Sequence, residues 1–268
     1  MDVAIRRVRQ SLDLALLTRA LGVCYGFATQ LLFFYTVWYL FWFMRDGASN
    51  GVIGDPYLVN TGLAILFALT HSVMLVPKFR RWLSRWISSA FYDSTFCVAT
   101  CMSLLILFAY WQTSLVVVWD MHGMAFKVIR GSFYLSWVAL VYSLALTGLG
   151  HQTGWTPFYY WLLKRKMPPR QFNPRGAYRL IRHPVYLSFL GLLWSVPLMS
   201  LDRFVLCLIW TTYIFYGSFL KDRRLIHFIG EPYRAYQEAV VGYPLMFFGP
   251  LAKRKRQDVI HSMDESVG

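Results

Sequence analysis

The chain has 268 residues, of which 57% are hydrophobic and only 15% are charged, and its mean hydropathy is +0.42. A soluble domain carries about 25% charged residues, so the composition excludes a water-soluble globule, and the high hydrophobicity excludes a disordered chain. The net charge of +14 would suggest nucleic-acid binding in a soluble protein, whereas in a membrane protein such an excess sets the orientation. We therefore expect an all-α, polytopic membrane protein with one membrane domain and no nucleic-acid partner.

The hydropathy pattern predicts about six transmembrane helices, because a bilayer core of about 30 Å needs about 20 apolar residues per helix. The apolar runs follow a basic N-terminal segment and cover residues 20–44, 58–76, 94–118, 132–150, 185–199 and 204–220. Only residues 200–203 separate the last two runs, which predicts a tight C-terminal helical hairpin. The 4 cysteines lie in apolar runs without a paired CxxC, so we expect neither a disulfide framework nor a metal site.

The distribution of basic residues predicts the orientation. Most of the 27 Lys and Arg residues lie in the N-terminal segment, in the loops after the second and fourth runs, and after the sixth run. Because Lys and Arg concentrate in cytoplasmic loops, both termini are expected in the cytoplasm. Within the first of these loops, residues 78–86 alternate basic and large apolar side chains, which favours an amphipathic helix in the headgroup plane.

Four segments follow from these patterns. They are a basic cytoplasmic segment (1–19), a four-span membrane region (20–150), a core made of a cytoplasmic loop, the hairpin and a C-terminal cap (151–247), and a basic, polar tail (248–268).

The densest group of polar residues flanks the hairpin, at residues 176–186 before it and 221–236 after it. The short hairpin places both stretches at the same membrane face. Pro184 suits the first turn of a helix, where its missing N–H has no cost. Arg182 and His183 then precede the helix, beside unpaired backbone N–H groups and the positive end of the helix dipole. Such a place suits an anionic group on a ligand.

Two motifs carry a family resemblance: RHPVY at residues 182–186 and, after the hairpin, FIGEPYRAY at 228–236. This order resembles the C-terminal core of the isoprenylcysteine carboxyl methyltransferase and phospholipid methyltransferase superfamily, RHPxY, hairpin, Glu-Glu and FGxxYxxY. Within it the chain is most similar to the membrane-bound methanethiol S-methyltransferases and to nurim. Further matches to that branch lie at residues 71–74, 78–82, 94–95, 118–120 and 151, so the resemblance covers roughly residues 21–247.

The resemblance implies an integral membrane methyltransferase that uses S-adenosylmethionine, with residues 151–247 as its methyltransferase-like core. The implied acceptor is a small or lipophilic thiol, with methanethiol to dimethyl sulfide as the precedent, and the implied location is a bacterial inner membrane. The implied catalytic residues are Arg182 and His183, and the tentative substrate residues are His71 and His151. The implied cofactor-binding residues are Tyr178, Arg182, His183, Tyr186, Asp222, Tyr233 and Tyr236.

The chemistry of the cofactor suggests a role for each of these side chains. Arg182 would hold the cofactor carboxylate, since its planar fork makes bidentate contacts. Asp222 would take the ammonium at the other end of the site, and the tyrosines would wall the adenine. His183 would position the cofactor or accept the thiol proton, as histidine does near neutral pH.

The chain departs from the family pattern where the family has Glu-Glu, because it has Lys221 and Asp222 there. Ser188 replaces a family glycine, and residues 152–155 replace the aromatic and acidic pattern of the methanethiol enzymes. Two alternatives therefore stay open: a nurim-like protein without catalysis, and carboxyl methylation of prenylcysteine. The oligomeric state has no signal in the sequence.

Overall fold

Helices make up most of the computed structural model, which describes residues 2–48, 56–169 and 171–253. The helices are α1 (Asp2–Asp46), α2 (Pro56–Leu75), α3 (Pro77–Leu83), α4 (Ser89–Tyr110), α5 (Gly123–Thr147), α6 (Leu149–Gln152), α7 (Trp155–Leu162), α8 (Pro184–Trp194), α9 (Leu201–Ile229) and α10 (Glu231–Ala239), with a 3-10 helix at Gly176–Arg179. Two short strands, β1 (Val117–Asp120) and β2 (Leu198–Ser200), pair antiparallel. The predicted tail beyond residue 253, residue 170 of the core loop and the side chains of residues 1–12 lie outside the described part.

Five of the described helices are long and apolar enough to cross a membrane: Leu16–Asp46, Tyr57–Leu75, Ser89–Tyr110, Gly123–Thr147 and Leu201–Ile229. Their length and hydropathy confirm an all-α, polytopic integral membrane protein. The basic stretch after the second run also forms a helix, α3, and its place in the headgroup plane remains a prediction.

The predicted third and fifth spans end earlier than expected. The third run stops being helical at Tyr110, and its last residues form β1. The fifth run forms only the 11-residue helix α8, because Pro197 and the pairing of β2 with β1 keep the following residues extended. The connection to α9 is therefore residues 195–200 rather than 200–203, and Asp202 lies inside α9.

Helix α8 and the extended residues after it together match the length of α5, on which α8 packs. Eleven helical residues rise about 17 Å and six extended residues about 20 Å, which together is about 37 Å. The helix α5 is about 38 Å long. At Gly191 of α8, an added Cβ would lie 2.3 Å from Ser136 Oγ, so glycine lets α8 approach α5 closely without moving that side chain. The predicted fifth span is thus a short helix followed by an extended segment.

The hairpin of α8 and α9 is held by polar contacts along its length. Trp194 Nε1 donates to Thr211 Oγ1 at 3.0 Å, and the Cys207 thiol donates to the Leu193 carbonyl at 3.0 Å. At the start of α9, the buried Asp202 carboxylate accepts hydrogen bonds from Trp111 Nε1 at 2.8 Å and from the Ser114 N–H at 3.0 Å. These bonds fix the beginning of α9 beside residues 111–114.

The contacts divide the described residues into two units. The first comprises residues within 1–43, 65–110 and 149–168. There, Tyr92 Oη donates to the Met74 carbonyl at 2.6 Å, and Arg19 donates to the Leu162 carbonyl at 2.8 Å. The second comprises residues within 44–64, 111–148 and 169–268, and it contains α5, α8, α9 and α10. The motif residues of the hairpin all lie in this second unit.

Candidate functional site

The RHPVY motif begins in an extended segment that pairs with the segment after α10. Ile181 forms a parallel bridge with Val241, the Arg182 N–H donates to the Val241 carbonyl at 2.8 Å, and the His183 N–H donates to the Gly242 carbonyl at 3.2 Å. Pro184 then takes the first turn of α8, as predicted. The backbone therefore turns from this pairing directly into the helix, with the two polar side chains at the junction.

Arg182 is buried and binds backbone carbonyls of the C-terminal segment. Its Nη1 donates to the carbonyls of Gln237 at 3.2 Å, Val240 at 2.7 Å and Ala252 at 3.3 Å, and its Nη2 donates to Leu251 at 3.1 Å. Because four carbonyl oxygens share one guanidinium, this side chain ties α10 and the segment after it to the start of α8. We refer to this arrangement as the carbonyl clamp.

The guanidinium also contacts Asp222 of α9. Arg182 Nη2 lies 3.1 Å from Asp222 Oδ2, and His183 Nε2 lies 3.2 Å from Asp222 Oδ1. The Tyr233 hydroxyl donates to the same Oδ1 at 2.5 Å. One carboxylate therefore joins the RHPVY motif to both the end of the hairpin and α10.

Burial determines the protonation states of His183 and Tyr233. Burial lowers the pKa of His183 below its ordinary value, although the Asp222 carboxylate acts in the opposite direction. The imidazole is therefore neutral at pH 7. Burial, together with the charge of Asp222, raises the pKa of Tyr233, so its phenol stays protonated and donates to the carboxylate.

Aromatic rings enclose the imidazole of His183. The Tyr186 ring stacks on it at 5.6 Å and the Tyr243 ring lies at 5.5 Å, measured between ring centroids. Tyr243 is itself held by a short hydrogen bond with Ser218 of α9. On the Tyr186 ring, Lys221 Nζ lies 5.0 Å from the centroid, a cation–π contact.

A second aromatic group lies around α10. The Tyr233 and Tyr236 rings are 5.6 Å apart, and each lies 5.4 Å from Phe172. The Tyr236 hydroxyl donates to the carbonyl of Tyr178. Burial raises the pKa of the Tyr178 phenol to about 12, so it too is protonated at neutral pH.

Five buried polar atoms of the described residues around Asp222 lack a hydrogen-bond partner: Arg182 Nε, His183 Nδ1 and Nε2, Asp222 Oδ2 and the Tyr178 hydroxyl. Two of them have charged contacts instead, because Asp222 Oδ2 lies beside Arg182 Nη2 and His183 Nε2 beside Asp222 Oδ1. Buried polar atoms are nearly always paired, and an exception calls for an explanation. A donor, an imidazole nitrogen and a carboxylate oxygen in one cluster are the groups that a zwitterionic ligand would satisfy.

The structure brings seven of the predicted site residues into one cluster, at the point where the hairpin ends meet: Tyr178, Arg182, His183, Tyr186, Asp222, Tyr233 and Tyr236. It corrects one detail of their arrangement. Arg182 and Asp222 do not lie at opposite ends of the site, because they form an ion pair with each other. His71 and His151 belong to the first unit, where the His71 ring lies 5.0 Å from Phe96.

The sequence did not indicate that residues 237–252 contribute to the cluster. The buried Tyr243, Leu251 and Ala252 complete the cluster, although the predicted core ended at residue 247. At Gly242, an added Cβ would lie 2.6 Å from the Leu251 carbonyl oxygen, which explains the glycine. The available signal is Gly242 and Pro244 after the amphipathic α10, since glycine and proline mark turns.

Comparison with known proteins identifies homologues over most of the chain. It is 29% identical over 226 residues to methanethiol S-methyltransferase 1 of Bradyrhizobium diazoefficiens, covering 81% of this chain and 79% of the relative. It is 28% identical to the methanethiol S-methyltransferase of Mycobacterium tuberculosis, covering 83% and 95%. Nurim of Mus musculus is 30% identical over 162 residues, covering 57% of this chain and 61% of nurim.

No protein-family model and no solved structure matches the chain. The family resemblance of the two motifs therefore rests on these sequence relatives alone. They confirm that the chain is similar to the methanethiol S-methyltransferases over most of its length, and to nurim over more than half of it.

Proposed function

We propose that this protein is an integral membrane, S-adenosylmethionine-dependent methyltransferase that converts methanethiol to dimethyl sulfide. Several relatives named methanethiol S-methyltransferase match more than four-fifths of the chain, which supports the activity. The single structural observation that supports it is the group of unpaired buried atoms on Arg182, His183 and Asp222. The bacterial sources of these relatives support a bacterial inner membrane as the location.

The residues of the cluster fit the polar end of the cofactor. S-adenosylmethionine has an ammonium and a carboxylate on one carbon, and the cluster offers the Asp222 Oδ2 acceptor beside the Arg182 Nε donor. When bound, the cofactor supplies an electrophilic methyl group on a sulfonium, which a thiol sulfur attacks in line. Alignment of the two reactants is the main requirement of such a displacement, so binding and orientation are what the protein must provide.

Asp222 and Arg182 have different roles in this proposal. Asp222 binds the ammonium through Oδ2, while Tyr233 and His183 hold its other oxygen. Arg182 has committed both terminal nitrogens to the carbonyl clamp, so it offers a ligand only Nε and its charge. It is therefore a positioning residue as well as a ligand to the cofactor carboxylate.

His183 is assigned as the acceptor of the thiol proton. Its Nε2 faces Asp222 Oδ1, which favours the tautomer with the proton on Nε2 and leaves Nδ1 with a free lone pair. The neutral state of the imidazole at pH 7 meets the first requirement of a base. The S–H proton of methanethiol would pass to Nδ1 as the sulfur becomes nucleophilic. His71 and His151 remain proposed substrate residues on the strength of the family resemblance alone.

The test is dimethyl sulfide production by the detergent-purified protein, given methanethiol and S-adenosylmethionine and measured by headspace gas chromatography. The parent should produce dimethyl sulfide, and His183→Gln should lower kcat by about 100-fold or more, the contribution of a positioned base. His122→Gln is the matched control, because His122 is exposed at the start of α5. A parent without activity, or a His183→Gln protein as active as the control, would overturn the assignment.

A nurim-like role without catalysis is the second candidate, and Lys221 is the observation that favours it. Its ammonium lies over Tyr186, at a position where the family carries an acid. Calorimetric titration of the purified protein with S-adenosylmethionine separates the two: no heat of binding at millimolar cofactor would support the non-catalytic role. A farnesylcysteine analogue in the methyl-transfer assay tests the prenylcysteine alternative in parallel.

A further inference from the structure

The segment between Tyr243 and Leu251 carries large apolar side chains that the described protein leaves uncovered. Leu245 is 85% exposed, Phe247 73% and Phe248 89%, although the residues on both sides of the segment are buried. We call residues 244–250 the apolar loop. Such a concentration of exposed aromatic and aliphatic surface indicates contact with an apolar medium or a partner.

The backbone of the apolar loop is firmly placed. The Gly242 N–H donates to the Leu251 carbonyl at 2.8 Å, and Arg182 Nη2 donates to the same oxygen at 3.1 Å. Both ends of the loop are thus held together at the Leu251 carbonyl, which is one of the four acceptors of the carbonyl clamp. The exposed side chains therefore lie at the tip of a loop whose base is held by hydrogen bonds.

Helix α9 supplies a scale for the depth of the loop. The Tyr243 ring lies 5.0 Å from Phe215, and its hydroxyl bonds Ser218. The charged stretch at the C-terminal end of α9 begins at Lys221, which is about 5–9 Å further along the helix at 1.5 Å per residue. Tyr243, at the base of the loop, therefore contacts α9 where that helix is still apolar, before its C-terminal charges.

The local chemistry of the loop agrees with that depth. Pro244 and Pro250 bracket it and have no N–H groups, which removes two donors that a lipid environment would leave unpaired. Leu245 has a φ of +60°, in the left-handed region that a leucine rarely adopts. Strain of this kind persists only where the surrounding structure over-determines the backbone. Beyond the loop, Lys253 begins a basic stretch suited to anionic headgroups.

We propose that the apolar loop is a membrane-docking element, with Leu245, Phe247 and Phe248 inserted among the lipid chains of the leaflet next to the cluster around Arg182. The partner is the bilayer itself. The contact of Tyr243 with the apolar part of α9 and the prolines at both ends of the loop favour lipid over a second protein. Because Arg182 binds the base of the loop through the carbonyl clamp, the loop links the lipid contact at its tip to Arg182. The proposal does not depend on methyl transfer.

Spin-label accessibility measures the depth directly. Full-length Phe248→Cys, in a Cys24→Ser background because Cys24 is exposed whereas the other cysteines are buried, would carry a nitroxide label in nanodiscs of phosphatidylcholine and phosphatidylglycerol. The matched control is Phe228→Cys, since Phe228 is 67% exposed but lies beyond the charges of α9. Power saturation compares collisions with oxygen, which enriches in lipid, and with nickel-EDDA, which stays in water.

The label at 248 should collide at least several-fold more with oxygen than with nickel-EDDA, and the label at 228 should show the reverse preference. Phe247→Cys is a second reporter in case the first variant does not fold. Three results would overturn the proposal. Nickel-EDDA access at 248 equal to that at 228 would place the loop in water, protection from both reagents would mean that protein covers it, and a lipid-like signal at 228 would invalidate the depth scale.

Discussion

Replacement of Arg182 by lysine tests whether the carbonyl clamp stabilises the protein. The guanidinium presents two terminal nitrogens, one donating to the carbonyls of Gln237, Val240 and Ala252 and the other to that of Leu251. A lysine ammonium keeps the positive charge but has one nitrogen, which cannot occupy both positions. Even with the ammonium at the Nη1 position, the substitution removes the two contacts of Nη2, with the Leu251 carbonyl and with Asp222, from a buried site.

The expected cost follows from those contacts. A hydrogen bond to a charged group contributes about 1.5–3 kcal/mol, so losing two costs about 3 kcal/mol or more of the free energy of unfolding. At about 2–4 °C per kcal/mol, the melting temperature should fall by about 6–12 °C. The loss should appear without any cofactor, because the clamp is built from the protein alone.

The assay heats detergent-purified protein and measures the remaining monodisperse fraction by size-exclusion chromatography. Arg179→Lys is the matched control, because Arg179 is exposed and its Nε makes a single 3.4 Å hydrogen bond to Pro174. That variant should melt within about 2 °C of the parent, as surface substitutions do. If Arg182→Lys also melts in that range, the clamp does not stabilise the fold and the reasoning fails. Added S-adenosylmethionine should raise the melting temperature of the parent if the cluster binds it.

Three further predictions concern the same unit and the orientation. Gly242→Ala should destabilise the protein by about 1–3 kcal/mol through overpacking, because its Cβ would lie 2.6 Å from a carbonyl oxygen, while Gly217→Ala, with open space around it, should not; thermal unfolding of both variants checks this. Burial lowers the pKa of His183, so its contribution to stability is present above the unfolded value of about 6.5 and is lost as pH falls below it. The melting temperature of the parent should drop between pH 6.5 and 5. If a His183→Gln protein shows the same drop, His183 is not the group responsible for it. Reporter fusions after Arg85 should score as cytoplasmic and those after Asp120 as external, and the opposite result would reverse the predicted orientation.

The sequence by itself determined the class of protein and the location of its chemistry. Composition and hydropathy are sums over local side chains, so they predict a helical membrane protein without reference to any contact. The motif around Arg182 and the tyrosines of α10 are likewise local, and the short link between the last two apolar runs brings them together whatever the rest of the chain does. Relatives of known activity then confirmed the resemblance that those motifs carried.

The tertiary structure decided where the elements end and what each polar group contacts. An apolar run can be helix or strand, so the shortness of α8 depends on β2 pairing with β1, a partner about 80 residues distant in the chain. The ion pair of Arg182 with Asp222 is equally non-local. The carbonyl clamp leaves no trace in the sequence at all, because every residue has a backbone carbonyl and only the fold decides which of them meet at one guanidinium.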